Sequence, residues 1–229
     1  MATFKRSLFK STTNYVKANF ICGHNPIRKV SELIDSDGNL SFNDETSNFS
    51  ELKIDKSIDY FANQTGDLEL DKCNITAQMS NWQCATINGG KITPTTTHII
   101  AKFPNVTYIH LNSIGNNMWQ QIRTCPELTT VIIDDCSALK YNNDYGQLWG
   151  IFADCNKLSR LVMNGLTWGG LDLIGKPFTR ESLVEFFESL GQADLSARTN
   201  QTITLGSILL PLLTDEDKKI ATDKGWTLA

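Results

Sequence analysis

One phrase occurs three times in this chain, and it changes period partway through. In Phe152-x-x-Cys155-x-x-Leu158-x-x-Leu161-x-Met163 the apolar residues stand three apart and then, from Leu161, two apart. A helix repeats near 3.6 residues and a strand at 2, so the switch at Leu161 predicts a helical turn feeding directly into a strand. The phrase recurs as Ile122-x-x-Cys125-x-x-Leu128-x-x-Val131-x-Ile133 and as Ile100-x-x-Phe103-x-x-Val106-x-x-Ile109-x-Leu111. A unit too short to bury its own apolar face, repeated along the chain, stacks on its copies, and this restricts the architecture to a solenoid.

Shorter copies lie on the N-terminal side. Apolar pairs separated by one residue recur as Leu52/Ile54, Leu68/Leu70, Ala85/Ile87, Ile109/Leu111, Val131/Ile133, Leu161/Met163 and Ile203/Leu205. Three residues beyond each pair stand Ser57, Cys73, Gly90, Ile114, Cys136, Leu166 and Ile208, most of them small or apolar. The pattern approaches L-x-x-L-x-L-x-x-N/C-x-L, in which each repeat supplies one short strand and then turns inward. The expected fold is α/β: a leucine-rich-repeat-like solenoid with a parallel sheet of short strands, a helical C-terminal cap and an N-terminal arm. Residues 1–45 are the arm, with a turn at Asp35-Ser-Asp37-Gly38-Asn39, and residues 46–229 are the solenoid with its cap.

The cap is legible in the C-terminal third. Thr179 is placed to N-cap RESLVEFFESL, where Leu183, Phe186, Phe187 and Leu190 form one stripe and Gly191 supplies the stop. Thr214-Asp-Glu-Asp217 opens a second short helix, with Lys218, Lys219 and Lys224 following and Gly225 at its end.

Charge divides the chain. Residues 1–30 hold Lys5, Arg6, Lys10, Lys17, Arg28 and Lys29 and no acid, so they carry +6; the other 15 basic and 25 acidic residues leave −10. A basic arm on an acidic body points to docking on an acidic partner. Leu8, Phe9, Tyr15, Val16, Phe20 and Ile21 make this arm too apolar for a solvated nucleic-acid tail, so protein is the expected partner and nucleic acid is not. Lys5, Arg6, Phe9, Lys10, Tyr15, Lys17 and Phe20 are the candidate anchoring residues.

Several chemistries fit poorly. The six cysteines have no C-x-x-C pairing and no histidine at zinc spacing, and Cys125, Cys155 and Phe103 share one repeat position, as small buried hydrophobes do. Reduced thiols suit synthesis in a bacterial host cytoplasm. Gly170-Leu-Asp-Leu-Ile-Gly175-Lys176-Pro177 matches a phosphate-binding loop until Pro replaces the hydroxyl residue that would hold magnesium. His24, His98 and His110 lie in unrelated contexts. Asp134 and Asp135 follow a strand and point to opposite faces, so they do not share a ligand. No cofactor, metal or enzymatic activity is expected. No segment approaches the ~18 apolar residues of a membrane span, and the N-terminus shows no apolar signal core, so neither insertion nor a secretory leader is expected.

The outward strand positions offer a better site. One column is expected to read Lys53, Glu69, Thr86, His110, Ile132, Val162, Thr204, and the next Asp55, Asp71, Asn88, Asn112, Asp134, Asn164, Gly206. Short polar side chains at strand ends bond a turning backbone. Apolar Ile132 and Val162 on a solvent face mark either a contact patch or a surface covered by a loop. Tyr141, Tyr145 and Trp168 are candidates for stacking on sugars, whereas Trp119 and Trp149 share a repeat position and read as core. The candidate binding set is His110, Asn112, Ile132, Asp134, Val162, Asn164, Tyr141, Tyr145 and Trp168.

The phrase Phe152 to Met163, with the ending Thr202-Ile-Thr-Leu-Gly206 and Leu213 to Ala229, resembles the BspA-type leucine-rich repeats of gut Bacteroidales and their phages, crAss-like phages included. The likeness covers roughly residues 95–229 and leaves residues 1–45 unmatched. It implies a non-enzymatic virion protein, a head or tail fibre or decoration element. Its arm would dock on capsid or tail proteins and its repeats would meet another protein, a host-surface protein or a glycan, as a homo-oligomer. A bacterial leucine-rich-repeat scaffold or surface adhesin is the alternative. Secreted members of the family would carry an export signal and often longer arrays, and this chain is expected to depart from them on both counts.

Overall fold

Two or three alternating apolar residues make a strand only if a neighbour completes its hydrogen bonds and covers its inner face. Here the neighbours are other copies of the same short element. The computed structural model describes residues 16–17, 28–29, 52–55, 62–63, 65–70, 73–76, 79–93, 100–115, 122–139, 151–194 and 201–229. It is an α/β structure of parallel sheets with few helices.

With strands numbered in chain order, sheet 1 holds β1 (Val16–Lys17), β4 (Asp67–Glu69), β7 (Thr86–Asn88), β10 (Tyr108–Leu111), β13 (Thr130–Ile133) and β14 (Arg160–Met163), side by side in that order. Sheet 2 holds β2 (Arg28–Lys29), β3 (Leu52–Ile54), β5 (Cys73–Ile75), β8 (Lys91–Ile92) and β11 (Ser113–Ile114). Sheet 3 holds β6 (Met79–Ser80), β9 (Ile100–Ala101) and β12 (Ile122–Arg123). From β4 to β12 the chain visits sheets 1, 2 and 3 in rotation, three times over. Every pairing in these sheets is parallel.

The core is a set of ladders of like residues. Leu68, Ile87, Ile109, Val131 and Leu161 are in register across sheet 1, and none is exposed. Ile54, Ile75, Ile92 and Ile114 form the corresponding ladder of sheet 2, also fully buried. Each such side chain contributes roughly 1.5–3 kcal/mol of burial, measured against an exposed one. Corners between sheets use left-handed backbone: Asn81, Lys102, Thr124 and Asp154 have φ of 61, 59, 54 and 58°. Their amides are used in series, Asn81 N to Ala101 O, Lys102 N to Arg123 O and Thr124 N to Ala153 O.

Beyond β14 the chain changes style. Sheet 4 is β15 (Leu171–Asp172), β16 (Thr202–Thr204) and β17 (Thr227–Leu228), again parallel. Helix α1 (Arg180–Ser189) joins its first two strands. Helix α2 (Gly206–Leu209), a 3-10 turn (Leu210–Leu212) and helix α3 (Asp215–Thr222) join the last two. Thr179 caps α1 in a capping box closed by Ser182, and Thr214 caps α3 in one closed by Asp217. Helix α1 packs along β14: Ser189 Oγ accepts from Met163 N at 3.0 Å, Ser189 O accepts from Gly165 N at 2.9 Å, and Arg160 pairs with Glu185. The edge of sheet 1 that would otherwise recruit another strand is thereby occupied.

Three expectations are corrected. The apolar pairs do not share one sheet: Leu52–Ile54 lies in sheet 2 and Thr202–Thr204 in sheet 4, because period-2 alternation is the same in any strand, whichever sheet receives it. Within sheet 1, Ile87 aligns with Leu68 and Ile109, so Asn88, not Thr86, stands beside His110. Ile208, assigned to the inward row, is 71% exposed, whereas Cys73, Gly90, Ile114, Cys136 and Leu166 of that row are buried. Val16–Lys17 and Arg28–Lys29, within the N-terminal arm, pair with β4 and β3 as the outermost strands of sheets 1 and 2.

Candidate functional site: the outer face of sheet 1

Because inward ladders alternate with outward positions, the outer face of sheet 1 is built of columns. One runs through Asn88, His110, Ile132 and Val162, in register and half-buried. A second runs through Asp67, Thr86, Tyr108, Thr130 and Arg160. At the strand ends Asn112, Asp134 and Asn164 are exposed, and their amides donate to Gly90 O, Leu111 O and Ile133 O, at 2.8, 3.0 and 3.0 Å.

The sequence reading placed His110, Asn112, Ile132, Asp134, Val162 and Asn164 together, and the structure gathers all six on this face and its rim. Ile132 lies directly opposite Val162. His110 Nε2 contacts both carboxylate oxygens of Asp134, at 3.0 and 2.9 Å, which fixes the imidazole plane across the strands. Arg160 closes the other end, with Nε on Glu185 Oε2 at 2.8 Å. Each partner shifts the other: the Glu185 carboxylate holds the guanidinium protonated to higher pH, and the guanidinium lowers the Glu185 carboxyl below its ordinary range. The result is an apolar pair between two oriented polar pairs, His110–Asp134 and Arg160–Glu185.

Asp134 and Asp135 part company, as alternation requires. Asp135 Oδ1 accepts from Ser137 N at 2.8 Å, and Ser137 lowers its pKa. Trp168 is only 8% exposed, so its ring is packed inside and is not offered to a sugar. Tyr141 and Tyr145 lie outside the described residues, as do Lys5, Arg6, Phe9, Lys10, Tyr15 and Phe20, and Trp119, Trp149, His24 and His98. Of the anchoring set only Lys17 is placed, in β1.

Lys176 of the glycine-rich loop is 9% exposed, and its ammonium donates to Phe152 O at 3.0 Å and Cys155 O at 3.3 Å. Burial lowers its pKa, and the carbonyls take the place a phosphate would need. Burial also pushes the Cys84 thiol up to about 12. Among the described residues no three His, Cys, Asp or Glu side chains converge as metal ligands would, and no helix is long and apolar enough to cross a membrane.

Two features escaped the sequence reading. Thr107, Thr129 and Ser159 form a hydroxyl row, donating to Ala85 O, Thr107 O and Thr129 O at 3.3, 3.0 and 3.4 Å. They stand two residues before Ile109, Val131 and Leu161, so the repeat alignment carried the signal in a polar position. The left-handed row left no signal, since Lys, Thr and Asp at 102, 124 and 154 are not residues that announce positive φ together.

No family model, curated protein or solved structure matches this chain.

Proposed function

We propose that this chain is a non-enzymatic interaction protein, a leucine-rich-repeat-like solenoid with a helical cap, carried on a phage particle as a head or tail fibre or decoration element. In this reading the outer face of sheet 1 is the contact surface for a protein or glycan, and the basic N-terminal segment docks on capsid or tail proteins. The solenoid part is supported by the rotation of the chain through three parallel sheets and by the in-register ladders. The virion part rests on the sequence resemblance.

The observation that carries the contact surface is the Ile132–Val162 pair, half-buried on an outward column with the His110–Asp134 and Arg160–Glu185 pairs on either side. Apolar anchors inside a polar rim are what a macromolecular contact uses, and most binding energy comes from few such residues. Purified particles of the phage that encodes the chain, examined by peptide mass spectrometry, are expected to contain it, and labelled full chain is expected to bind either those particles or host cells. Ile132→Asp with Val162→Lys should reduce that binding at least ten-fold while leaving thermal unfolding within a few degrees. Particles lacking the chain would favour a bacterial scaffold or adhesin. Undiminished binding by a folded double variant would move the contact elsewhere.

A further inference from the structure

Cys125 and Cys155 hold the same place in consecutive passes of the chain. Each precedes a paired core residue, Val131 or Leu161, by six positions. Each opens the same turn, with Leu128 N on Cys125 O and Leu158 N on Cys155 O, both at 3.2 Å. Just before them, Thr124 N donates to Ala153 O at 2.7 Å, which keeps the two backbones one strand spacing apart. That spacing, about 4.7–4.9 Å, falls within the ~4.4–6.8 Å between Cα atoms that a disulfide spans. Cys125 Sγ donates to Arg123 O at 3.3 Å and Cys155 Sγ to Ala153 O at 3.7 Å, the same bond in each pass, and both residues are fully buried. Phe103 takes the equivalent position one pass earlier, so on that side the column of sulfur ends after two members.

Lys176 completes the arrangement. Its ammonium sits on the carbonyls of Phe152 and Cys155 and its charge acts on the Cys155 sulfur. We propose that Cys125 and Cys155 are a built oxidation site, which a peroxide converts to an intrachain disulfide linking two consecutive passes of the stack. The Cys155 thiolate attacks one peroxide oxygen, the O–O bond breaks, and Cys155 becomes a sulfenic acid as hydroxide leaves and takes up a proton. The Cys125 sulfur then attacks the Cys155 sulfur, the S–O bond breaks, and the Cys125 proton leaves with the hydroxyl as water. Two thiols are oxidised and one hydrogen peroxide is reduced to two waters.

The roles divide by environment. The neighbouring Cys125 and the Lys176 charge hold the Cys155 thiol below its ordinary range, so it reacts first; the Cys125 thiol, raised by its neighbour Cys155 and by burial, resolves. Cys84 and Cys136 are pushed up by burial without such an ammonium. A buried site selects a small oxidant over a bulky disulfide. The inference is independent of the binding role proposed above.

The test treats the folded full chain with hydrogen peroxide, then unfolds it in an alkylating reagent and maps its peptides. The expected result is loss of two alkylatable thiols, a linked pair of peptides containing Cys125 and Cys155, a higher melting temperature, and reversal of all three by dithiothreitol. Cys125→Ser should stop the reaction at a sulfenic acid on Cys155, trapped by dimedone. The proposal is overturned if both thiols stay fully alkylatable while methionines oxidise, or if the links formed join other cysteines. Should Cys125→Ser not fold, the peptide map of the unaltered chain still decides.

Discussion

Gly191 shows how far a single position can depend on what crosses it. The sequence reading assigned it as a helix stop, which would call for left-handed backbone at this position. It is not among the glycines with positive φ, and Leu190, the C-cap, is extended at φ −65° and ψ 142°. The requirement is space. A Cβ at Gly191 would stand 3.0 Å from both Gly165 O and Thr167 Cγ2, while Gly191 N donates to Leu166 O at 2.9 Å and Trp226 Nε1 donates to Gly191 O at 3.0 Å. Backbone held on both sides cannot retreat, so the methyl group must displace the 165–167 segment. Gly191→Ala is therefore expected to destabilise the fold by about 1–3 kcal/mol, the range for overpacking. Urea unfolding would show this as a lower midpoint at unchanged slope; an unchanged midpoint would mean that the 165–167 segment yields freely.

At the scale of elements, α1 is the piece whose two ends are secured from different places. Its N-terminus is capped locally by Thr179 and Ser182. Its C-terminal carbonyls are satisfied by one distant cation: Lys224 Nζ donates to Phe187 O, Glu188 O and Leu190 O at 2.9, 2.8 and 2.7 Å. An ammonium at a helix C-terminus also opposes the partial negative charge there. Lys224→Met keeps the aliphatic stem and removes the donors, so a loss of about 1–3 kcal/mol is expected by thermal unfolding, with Lys224→Arg recovering part of it. No loss in the Met variant would show that water serves these carbonyls equally well. The helix itself was legible in the sequence because Thr179, Leu183, Phe186 and Phe187 are local signals at helical spacing. Its closing cation was not, since it lies 34 to 37 residues away. The same division runs through the sheets. The repeat alignment put Ile109, Val131 and Leu161 in register and gathered His110, Ile132, Asp134 and Val162 on one face, because equal spacing in successive passes becomes equal height in a parallel stack. It misassigned Leu52–Ile54 and Thr202–Thr204, whose alternation says that they are strands and not which sheet they join. Trp168 was misread because a large aromatic beside two glycines looks the same exposed or packed.

For the whole molecule, the joint between the stacked sheets and the C-terminal sheet sets the response to acid. Arg180 begins α1, which lies on β14; Asp217 stands in the first turn of α3, which leads to β17. Arg180 Nε and Nη2 meet the two Asp217 oxygens at 2.7 and 2.8 Å, and Thr214 N donates to Oδ2 at 2.8 Å. The Arg180 guanidinium first, and the Thr214 amide after it, hold the Asp217 carboxyl below its ordinary range. Asp135, Glu181 and Glu185 are shifted the same way. A carboxyl whose pKa is lower folded than unfolded releases its proton more readily in the folded chain, so between the two values the unfolded chain binds more protons and stability rises with pH. Its stabilisation is complete above the unfolded value, about 3.9 for Asp, and is lost as pH falls through the folded value. The melting temperature should therefore be nearly level from about pH 7 to about pH 5 where these groups are concerned, and should fall steeply below about pH 4. Asp217→Asn keeps the shape of the side chain but cannot form the ion pair, so it should melt lower than the unaltered chain at neutral pH and lose its deficit as pH drops toward 2. Parallel melting curves measured from about pH 7 to about pH 2 distinguish the outcomes. A deficit that stays constant to the acid end would show that Asp217 supports α3 through its capping bond to Thr214 alone, and that the Arg180 contact across the joint contributes nothing measurable.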